Sequence, residues 1–165
     1  MKEQTVYLDS SSIVKRYLTE NGSDVVDWFY RAAEVGRIAL GFSLWNVGEV
    51  IGTLDRRRRR GDIDEASFSG ALDNFYGENE KMLRLNSLRI LNVDGSVLRA
   101  SWRLIPRHHT YAADALQVAS AKELSSDLFV SADKRLCEVA GEEDLSCINP
   151  ETDRDEARDF LDRIL

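Results

Sequence analysis

The chain has 165 residues, which is enough for one domain with its own buried core. A hydrophobic share of 43%, a charged share of 31% and only two prolines exclude a disordered chain. The net charge of −7 argues against a protein that coats nucleic acid non-specifically, although it allows local binding of a phosphate chain. No stretch is apolar for long enough to span a membrane, and MKEQTVYLD at the N-terminus lacks an apolar signal region.

The cysteines and histidines give no sign of a metal or disulfide framework. Cys137 and Cys147 match no metal-ligand spacing and are too few for such a framework, which favours a reducing, cytoplasmic location. His108 and His109 are adjacent, and this leaves little for a histidine-based zinc site.

Strand-like and helix-like segments alternate along the whole chain. In chain order the patterns predict a strand at 5–9, helices at 11–18 and 23–33, a strand at 37–41, helices at 44–60 and 64–86, a strand within 88–95, helices at 96–107 and 110–125, a strand within 126–133, a helix at 134–141, a strand at 145–148 and a helix after 150. This alternation predicts an α/β fold with a central, mostly parallel five-stranded sheet and helices on both faces.

Two aspartates stand where such folds bind ligands, beyond the carboxyl ends of the strands. Asp9 ends the first predicted strand and Asp133 follows the fourth. Each also precedes a helix, where an aspartate commonly caps free amides. For either residue alone, capping explains the position as well as catalysis does.

Glu49 and Asp114 are harder to explain as ordinary surface residues. On a helix, Glu49 shares a face with Trp45, Gly48 and Gly52, and two interior glycines predict the close approach of another element. Asp114 lies in the almost entirely apolar segment YAADALQVASA, where an ionised carboxylate is costly unless it is paired or bound to a metal. The alternatives are a solvated glutamate and a first-turn acid that follows a Thr110 cap.

Four acids in one pocket would repel one another, and a divalent cation removes that repulsion. Oxygen ligands without a cysteine or histidine cluster select a hard ion, Mg²⁺ or Mn²⁺.

The segments VYLDSSSIVKRY, NVGEV, YAADALQVASA and LFVSADKRL resemble, in order and spacing, the acidic motifs of PIN domains, and among these the VapC-type ribonuclease toxins of toxin–antitoxin pairs. The likeness implies a PIN-like nuclease domain over residues 1–150, with 151–165 as a C-terminal helical extension of the same domain. It places the metal-binding and catalytic acids at Asp9, Glu49, Asp114 and Asp133, and supporting hydroxyls at Ser10 and Ser131. After Asp133 the family often has a further Asp or Asn, whereas this chain has Lys134, Arg135 and Leu136, which puts a second metal in doubt.

The resemblance implies Mg²⁺- or Mn²⁺-dependent hydrolysis of RNA phosphodiester bonds. It also implies an RNA substrate, a cognate antitoxin and a homodimer in the cytoplasm, with no membrane partner. Five arginines, 56–60, follow Glu49 on the same predicted helix. Arg56 and Arg60 fall near the face of Glu49, which predicts contact with the RNA backbone, while Arg57 and Arg58 are expected to face solvent or a partner. The run is equally explained as a solvated helix face or as a docking site for an acidic partner.

Three other functions compete with this interpretation. The first is a non-catalytic PIN-like module that binds RNA or protein. A phospho-acceptor signalling domain would need a lysine at the end of a late strand, and here the fourth strand ends in Ser-Ala-Asp. A haloacid-dehalogenase-type phosphatase would need an acid two residues after Asp9, where Ser11 stands.

Overall fold

The computed structural model describes residues 4–164 as a five-stranded sheet with eight helices. The strands are β1 (Gln4–Leu8), β2 (Ile38–Ser43), β3 (Leu88–Leu91), β4 (Leu128–Val130) and β5 (Cys147–Ile148). The helices are α1 (Ser10–Tyr17), α2 (Ser23–Glu34), α3 (Leu44–Arg60), α4 (Glu65–Arg84), α5 (Gly95–His108), α6 (Ala112–Glu123), α7 (Lys134–Glu142) and α8 (Arg154–Asp162). The predicted α/β fold is confirmed, and every strand pair within the described residues is parallel.

The sheet is covered on both faces. Neighbouring residues of a strand point to opposite faces, and all six residues of β2 and the last four of β1 are buried. Such continuous apolar burial is typical of parallel sheets, in which the connections between strands place helices on each face.

The strand order is β3-β2-β1-β4-β5. The chain leaves β1 toward β2 and β3 on one side and later returns to β4 and β5 on the other. The strand order therefore reverses between β1 and β4, and this crevice is the place where open α/β sheets bind ligands. The backbone N–H of Asp9 donates to the carbonyl of Val130 across this point, at 3.1 Å.

Aspartate side chains cap the start of several helices. Asp9, Asp64, Asp94 and Asp133 each accept a hydrogen bond from an amide in the first turn of the following helix. The alternative explanation of Asp114 is right about its first-turn position and wrong about the Thr110 cap, because the cap position of α6 holds Tyr111, which makes no capping bond through its side chain.

The C-terminal helix α8 packs on α2. The rings of Phe160 and Phe29 lie 6.3 Å apart, and the guanidinium of Arg154 lies 4.6 Å from the centre of the Trp28 ring. The chain reaches α8 by passing directly over Gly22, where a Cβ atom would lie 2.9 Å from the backbone of Pro150. Gly22 also has a φ of +82°, so both its conformation and this contact favour glycine. The outer ends of the predicted domain, residues 1–3 and 165, lie outside the described residues.

The two cysteines are bonded to each other. Cys137 of α7 and Cys147 of β5 form a disulfide with a Cα–Cα distance of 5.4 Å. This bond was not expected, because two cysteines ten positions apart carry no sequence signature of pairing. Within residues 4–164, no helix combines the length and the apolarity needed to cross a bilayer.

Candidate active site

Asp9 is the most buried of the four candidate acids, with only 4% of its surface exposed. Its Oδ1 accepts from the backbone N–H of Ser12 at 2.8 Å, and its Oδ2 accepts from the Ser131 hydroxyl at 2.6 Å. The Ser11 hydroxyl lies within 2.9 Å of both carboxylate oxygens. Burial raises the pKa of Asp9 above its ordinary value, and the bonds from Ser131 and Ser12 act against that rise. Asp9 is therefore a helix cap whose carboxylate is also fixed at the end of β1.

Ser131 connects the first and fourth acidic segments. Its hydroxyl donates to Asp9 and accepts from the backbone N–H of Asp133 at 3.0 Å. The side chain of Asp133 is exposed and caps α7 by accepting from the N–H of Leu136 at 3.1 Å. The two strand-end aspartates thus share one fully buried serine as a common support.

Asp114 has the surroundings that the apolar sequence around it predicted. It is half-buried in the first turn of α6, and no donor within residues 4–164 hydrogen-bonds to its carboxylate. Desolvation raises its pKa, and the negative charges of Asp133, Glu49 and Asp9 raise it further. These three carboxylates therefore lie close enough to Asp114 to repel it.

Glu49 is anchored on α3 by neighbours from two other helices. Its Oε2 accepts from the Ser10 hydroxyl of α1 at 2.5 Å and from Nε2 of Gln117 on α6 at 2.7 Å. Glu49 is half-buried and is not a freely solvated residue. Ser10 thus supports the second acid of the set, whereas Ser11 and Ser131 support the first.

A buried polar network lies beneath these acids. Asn46 is fully buried, and its Nδ2 donates to Oε1 of Gln117 at 2.7 Å and to Ser10 at 3.0 Å. The hydroxyl of Tyr7 lies 3.0 Å from Oδ1 of Asn46 and 2.9 Å from Oε1 of Gln117. Oδ1 of Asn46 also accepts from the backbone N–H of Ser43 at 2.8 Å. The network joins β1, α1, α3 and α6, and so fixes the elements that carry three of the acids.

Sequence reasoning missed Ser11, Asn46 and Gln117. Helical spacing could have found two of them, because Asn46 lies three residues before Glu49 and Gln117 lies three residues after Asp114. Such positions share a helix face with the acids. Their roles depend on contacts across the fold, which spacing alone does not give.

The structure tests the predictions for the glycines of α3 and for Arg57 and Arg58. The expected close approach at the glycines is wrong: a Cβ at Gly48 would meet nothing within 4 Å, and one at Gly52 would meet only the Arg56 side chain, at 3.6 Å. Arg57 and Arg58, which were expected to face solvent or a partner, are half-buried and form ion pairs within the chain. Arg57 pairs with Glu20, whereas Arg58 pairs with two carboxylates and lies 4.3 Å from the centre of a phenylalanine ring.

Arg56 and Arg60 are both exposed, and neither pairs with a carboxylate of the described residues. The Arg56 guanidinium donates to the Thr53 hydroxyl at 2.8 Å. These two arginines are therefore available to an anionic ligand.

The donor set suits a hard divalent ion. Asp9, Glu49, Asp114 and Asp133 offer only oxygen atoms, and their mutual repulsion favours a bound cation. As the side chains stand, no group of three His, Cys, Asp or Glu residues in the described chain is arranged to hold a metal ion. The residues fit Mg²⁺ or Mn²⁺ in chemistry, and the carboxylate of Asp114 accepts no hydrogen bond from the described residues.

An apolar groove lies beside the acids at the same edge of the sheet. It encloses about 490 Å³ between α3, α5 and α6, and its walls include Leu44, Trp45, Trp102 and Ala113. Trp45 and Trp102 are 48% and 57% exposed. Trp45 stands one helical turn before Glu49 and Ala113 directly precedes Asp114, so two of the residues lining the groove are near neighbours of the acids along the chain.

Comparison with known families gives one match: the model of the PIN domain matches residues 6–142. No protein with a curated function matches the sequence.

Several solved structures share the fold. FitAcB from Neisseria gonorrhoeae matches with a TM-score of 0.63 and 18% identity, covering 89% of this chain and 99% of that one. PAE2754 from Pyrobaculum aerophilum matches with a TM-score of 0.62 and 16% identity, covering 98% and 89%. VapC20 of Mycobacterium tuberculosis, described as a sarcin–ricin loop cleaving toxin, matches with a TM-score of 0.57 and 15% identity, covering 81% and 93%. At these identities the likeness establishes the fold alone.

Proposed function

The chain belongs to the PIN-domain family, and we propose that it is a metal-dependent endoribonuclease, the toxin of a type II toxin–antitoxin pair. The observation that carries the proposal is the environment of Asp114, which is half-buried without a hydrogen-bond donor from residues 4–164, at the crevice where the strand order reverses. Desolvation raises its pKa, and the charges of three other carboxylates raise it further. An accumulation of unneutralised negative charge in such a crevice is typical of a site for a divalent cation.

In this proposal Asp9 and Asp114 hold the metal directly, and Glu49 and Asp133 complete the site as ligands through water or as proton acceptors. When bound, Mg²⁺ or Mn²⁺ lowers the pKa of water and offsets charge on the phosphate under attack. Asp9 is the rigid member, because hydrogen bonds from Ser12 and Ser131 fix both of its oxygens. Ser10 holds one oxygen of Glu49, which leaves the other free for the ion.

Arg56 and Arg60 are the residues we propose for the RNA backbone. Both are exposed, and neither pairs with a carboxylate within residues 4–164. Arg56 follows Glu49 by seven residues, or two helical turns, which is roughly 10 Å along the axis. A guanidinium there can make bidentate contacts with a phosphate one or two nucleotides from the scissile bond.

The test is cleavage of structured and unstructured RNA with Mg²⁺, with Mn²⁺ and with EDTA, by the wild type, Asp9→Asn and Asp62→Asn. Asparagine keeps the oxygen that caps α1, so Asp9→Asn should fold. Asp62 is an exposed acid in the loop after α3 and serves as the matched control. We expect metal-dependent cleavage that Asp9→Asn loses and Asp62→Asn keeps. Cleavage that persists in EDTA or in Asp9→Asn would contradict the proposal.

We propose two protein partners, an antitoxin and a second copy of this chain. FitAB bound to a DNA fragment and a toxin–antitoxin complex from Klebsiella pneumoniae are among the similar folds, with TM-scores of 0.64 and 0.52.

The groove with Trp45 and Trp102 is the surface we assign to the homodimer, since large exposed apolar side chains on one face favour a self-complementary interface. Trp102→Glu should yield a monomer by light scattering, whereas an unchanged oligomeric state would exclude this surface.

One observation favours a second candidate, a non-catalytic PIN-like module that binds RNA or protein. No three potential ligands within residues 4–164 are arranged around a common point. If this candidate is right, RNA binds without being cut, and Mn²⁺ leaves the melting temperature of the protein unchanged.

A further inference from the structure

The disulfide lies one helical turn from the candidate active site. Cys137 is the fourth residue of α7, and Asp133 caps the start of the same helix. Cys147 opens β5, which pairs with β4. We infer that the thiol–disulfide state of Cys137 and Cys147 regulates the acidic site, because the bond fixes the segment that carries Asp133. This inference rests on the proposed function.

The segment between Val130 and Cys137 is held by α1 on one side, where the Ser11 hydroxyl accepts from the N–H of Ala132 at 3.3 Å, and by β5 and Asn149 on the other. The backbone N–H of Ser131 donates to the carbonyl of Ile148 at 3.1 Å, and Nδ2 of Asn149 donates to the carbonyl of Ala132 at 3.2 Å. The disulfide adds a covalent connection between the far end of the segment and the same strand. With the bond intact, the segment is therefore anchored at both ends.

A contact joins Cys137 to the support of Asp9 as well. Its Sγ lies 3.7 Å from the backbone oxygen of Ser131, the residue whose hydroxyl holds Asp9 and receives the N–H of Asp133. A free thiol at this position could donate to that oxygen. A change in the chemistry of the Cys137 sulfur thus acts on Asp9 and Asp133 through one intervening residue, Ser131.

The disulfide lies beside a surface groove. Both cysteines are half-buried, and Cys147 lines a surface groove of about 360 Å³ together with Ile148 and Phe160. Reduction by two equivalents of a small thiol breaks the sulfur–sulfur bond, adds two electrons and two protons, and leaves two protein thiols and one small-molecule disulfide. Oxidation by a small-molecule disulfide reverses the exchange.

The oxidised form should be the better metal binder. Asp133 is exposed, and its position depends on the first turn of α7. Loosening that turn adds conformational freedom that metal binding must remove. Ordering one side chain corresponds to roughly a 3- to 10-fold loss in affinity. The Michaelis constant for RNA should change little, because Arg56 and Arg60 lie on α3, away from the disulfide.

The experiment measures Mn²⁺ affinity by electron paramagnetic resonance, together with RNA cleavage, below the melting temperature of each sample. Two samples are the wild type, one oxidised and one reduced with dithiothreitol. The other two are the double variant Cys137→Ser/Cys147→Ser, with and without dithiothreitol. We expect the reduced wild type and both samples of the double variant to bind Mn²⁺ roughly 3- to 10-fold more weakly than the oxidised wild type.

Other outcomes are equally informative. If all four samples bind Mn²⁺ and cleave RNA alike, the disulfide is purely structural and the inference is overturned, while the proposed nuclease stands. A fall in melting temperature without a change in Mn²⁺ affinity likewise overturns the inference. If no sample binds Mn²⁺ or cleaves RNA, the proposed function itself fails, and the inference fails with it.

Discussion

The substitution Ser131→Ala removes a side chain that supports both strand-end aspartates. Ser131 is fully buried, and its hydroxyl donates to the Asp9 carboxylate at 2.6 Å while accepting from the N–H of Asp133. A hydrogen bond to a charged group contributes about 1.5–3 kcal/mol to stability. For a domain of this size, 1 kcal/mol shifts the melting temperature by roughly 2–4 °C, so we expect a fall of roughly 3–12 °C.

Ser126→Ala is the matched control. The hydroxyl of Ser126 is also buried, but it has no hydrogen-bond partner among residues 4–164, so its removal deletes the same atom without breaking a bond there. Calorimetry or urea denaturation compares the two variants. We expect Ser126→Ala to be neutral or slightly stabilising. If the unfolding free energies of the variants agree within about 0.5 kcal/mol, the reasoning about Ser131 is refuted.

The same substitution should affect catalysis. Losing a group that orients a metal ligand typically costs 10- to 100-fold in metal affinity or activity. The Mn²⁺ affinity of Ser131→Ala, measured below its melting temperature, separates this effect from the loss of stability. Mn²⁺ affinity equal to that of the wild type would show that Ser131 serves the fold alone.

Asp114→Asn should raise the free energy of unfolding at pH 7, because it removes a partly desolvated charge. A raised pKa means that the folded state binds the proton more tightly, so this gain should shrink as the pH is lowered through the pKa of Asp114. Urea denaturation at pH 7 and pH 5 tests this, and a gain that stays constant, or a variant less stable than the wild type, would contradict it. Gln117→Leu should lower activity, because it removes the amide that holds Glu49 and leaves polar atoms of the network unpaired; a kcat equal to that of the wild type would contradict this role. Arg56→Ala should raise the KM for RNA and flatten the salt dependence of that KM. Arg57→Ala, the control, should leave the KM unchanged and lower the free energy of unfolding in urea by less than about 1 kcal/mol, because Arg57 is paired with a surface carboxylate. Equal effects of the two substitutions on RNA binding would refute the assignment.

The sequence predicted the fold class, and the reason is local. The strand-to-helix alternation is visible in short windows, because buried parallel strands are continuously apolar and their flanking helices have an apolar stripe. The boundaries of α3 were predicted to the residue, whereas the third strand is shorter than the segment assigned to it. The capping role of Asp9 was also accessible, since a cap needs only an aspartate just before a helix.

The sequence predicted only in part that the four acids come together. The sequence placed Asp9 and Asp133 at strand ends, and parallel strands place those ends at one edge of a sheet. Glu49 and Asp114 were identified through their unusual surroundings on helices, and the structure brings both near the same edge. The distances among the four depend on how α3 and α6 pack against the sheet, and periodicity does not encode that packing.

The sequence by itself therefore determined the alternating elements and the cap at Asp9, and it predicted the four acids of the candidate site. Only the tertiary structure decided that Ser10 supports Glu49, that Asn46 and Gln117 join four elements, that Arg57 and Arg58 are paired, and that Cys137 meets Cys147. The difference has a physical basis. Helix and strand periods arise from contacts between near neighbours in the chain, whereas a hydrogen bond such as that from Ser131 to Asp9 joins residues 122 positions apart and exists only after the strands have paired.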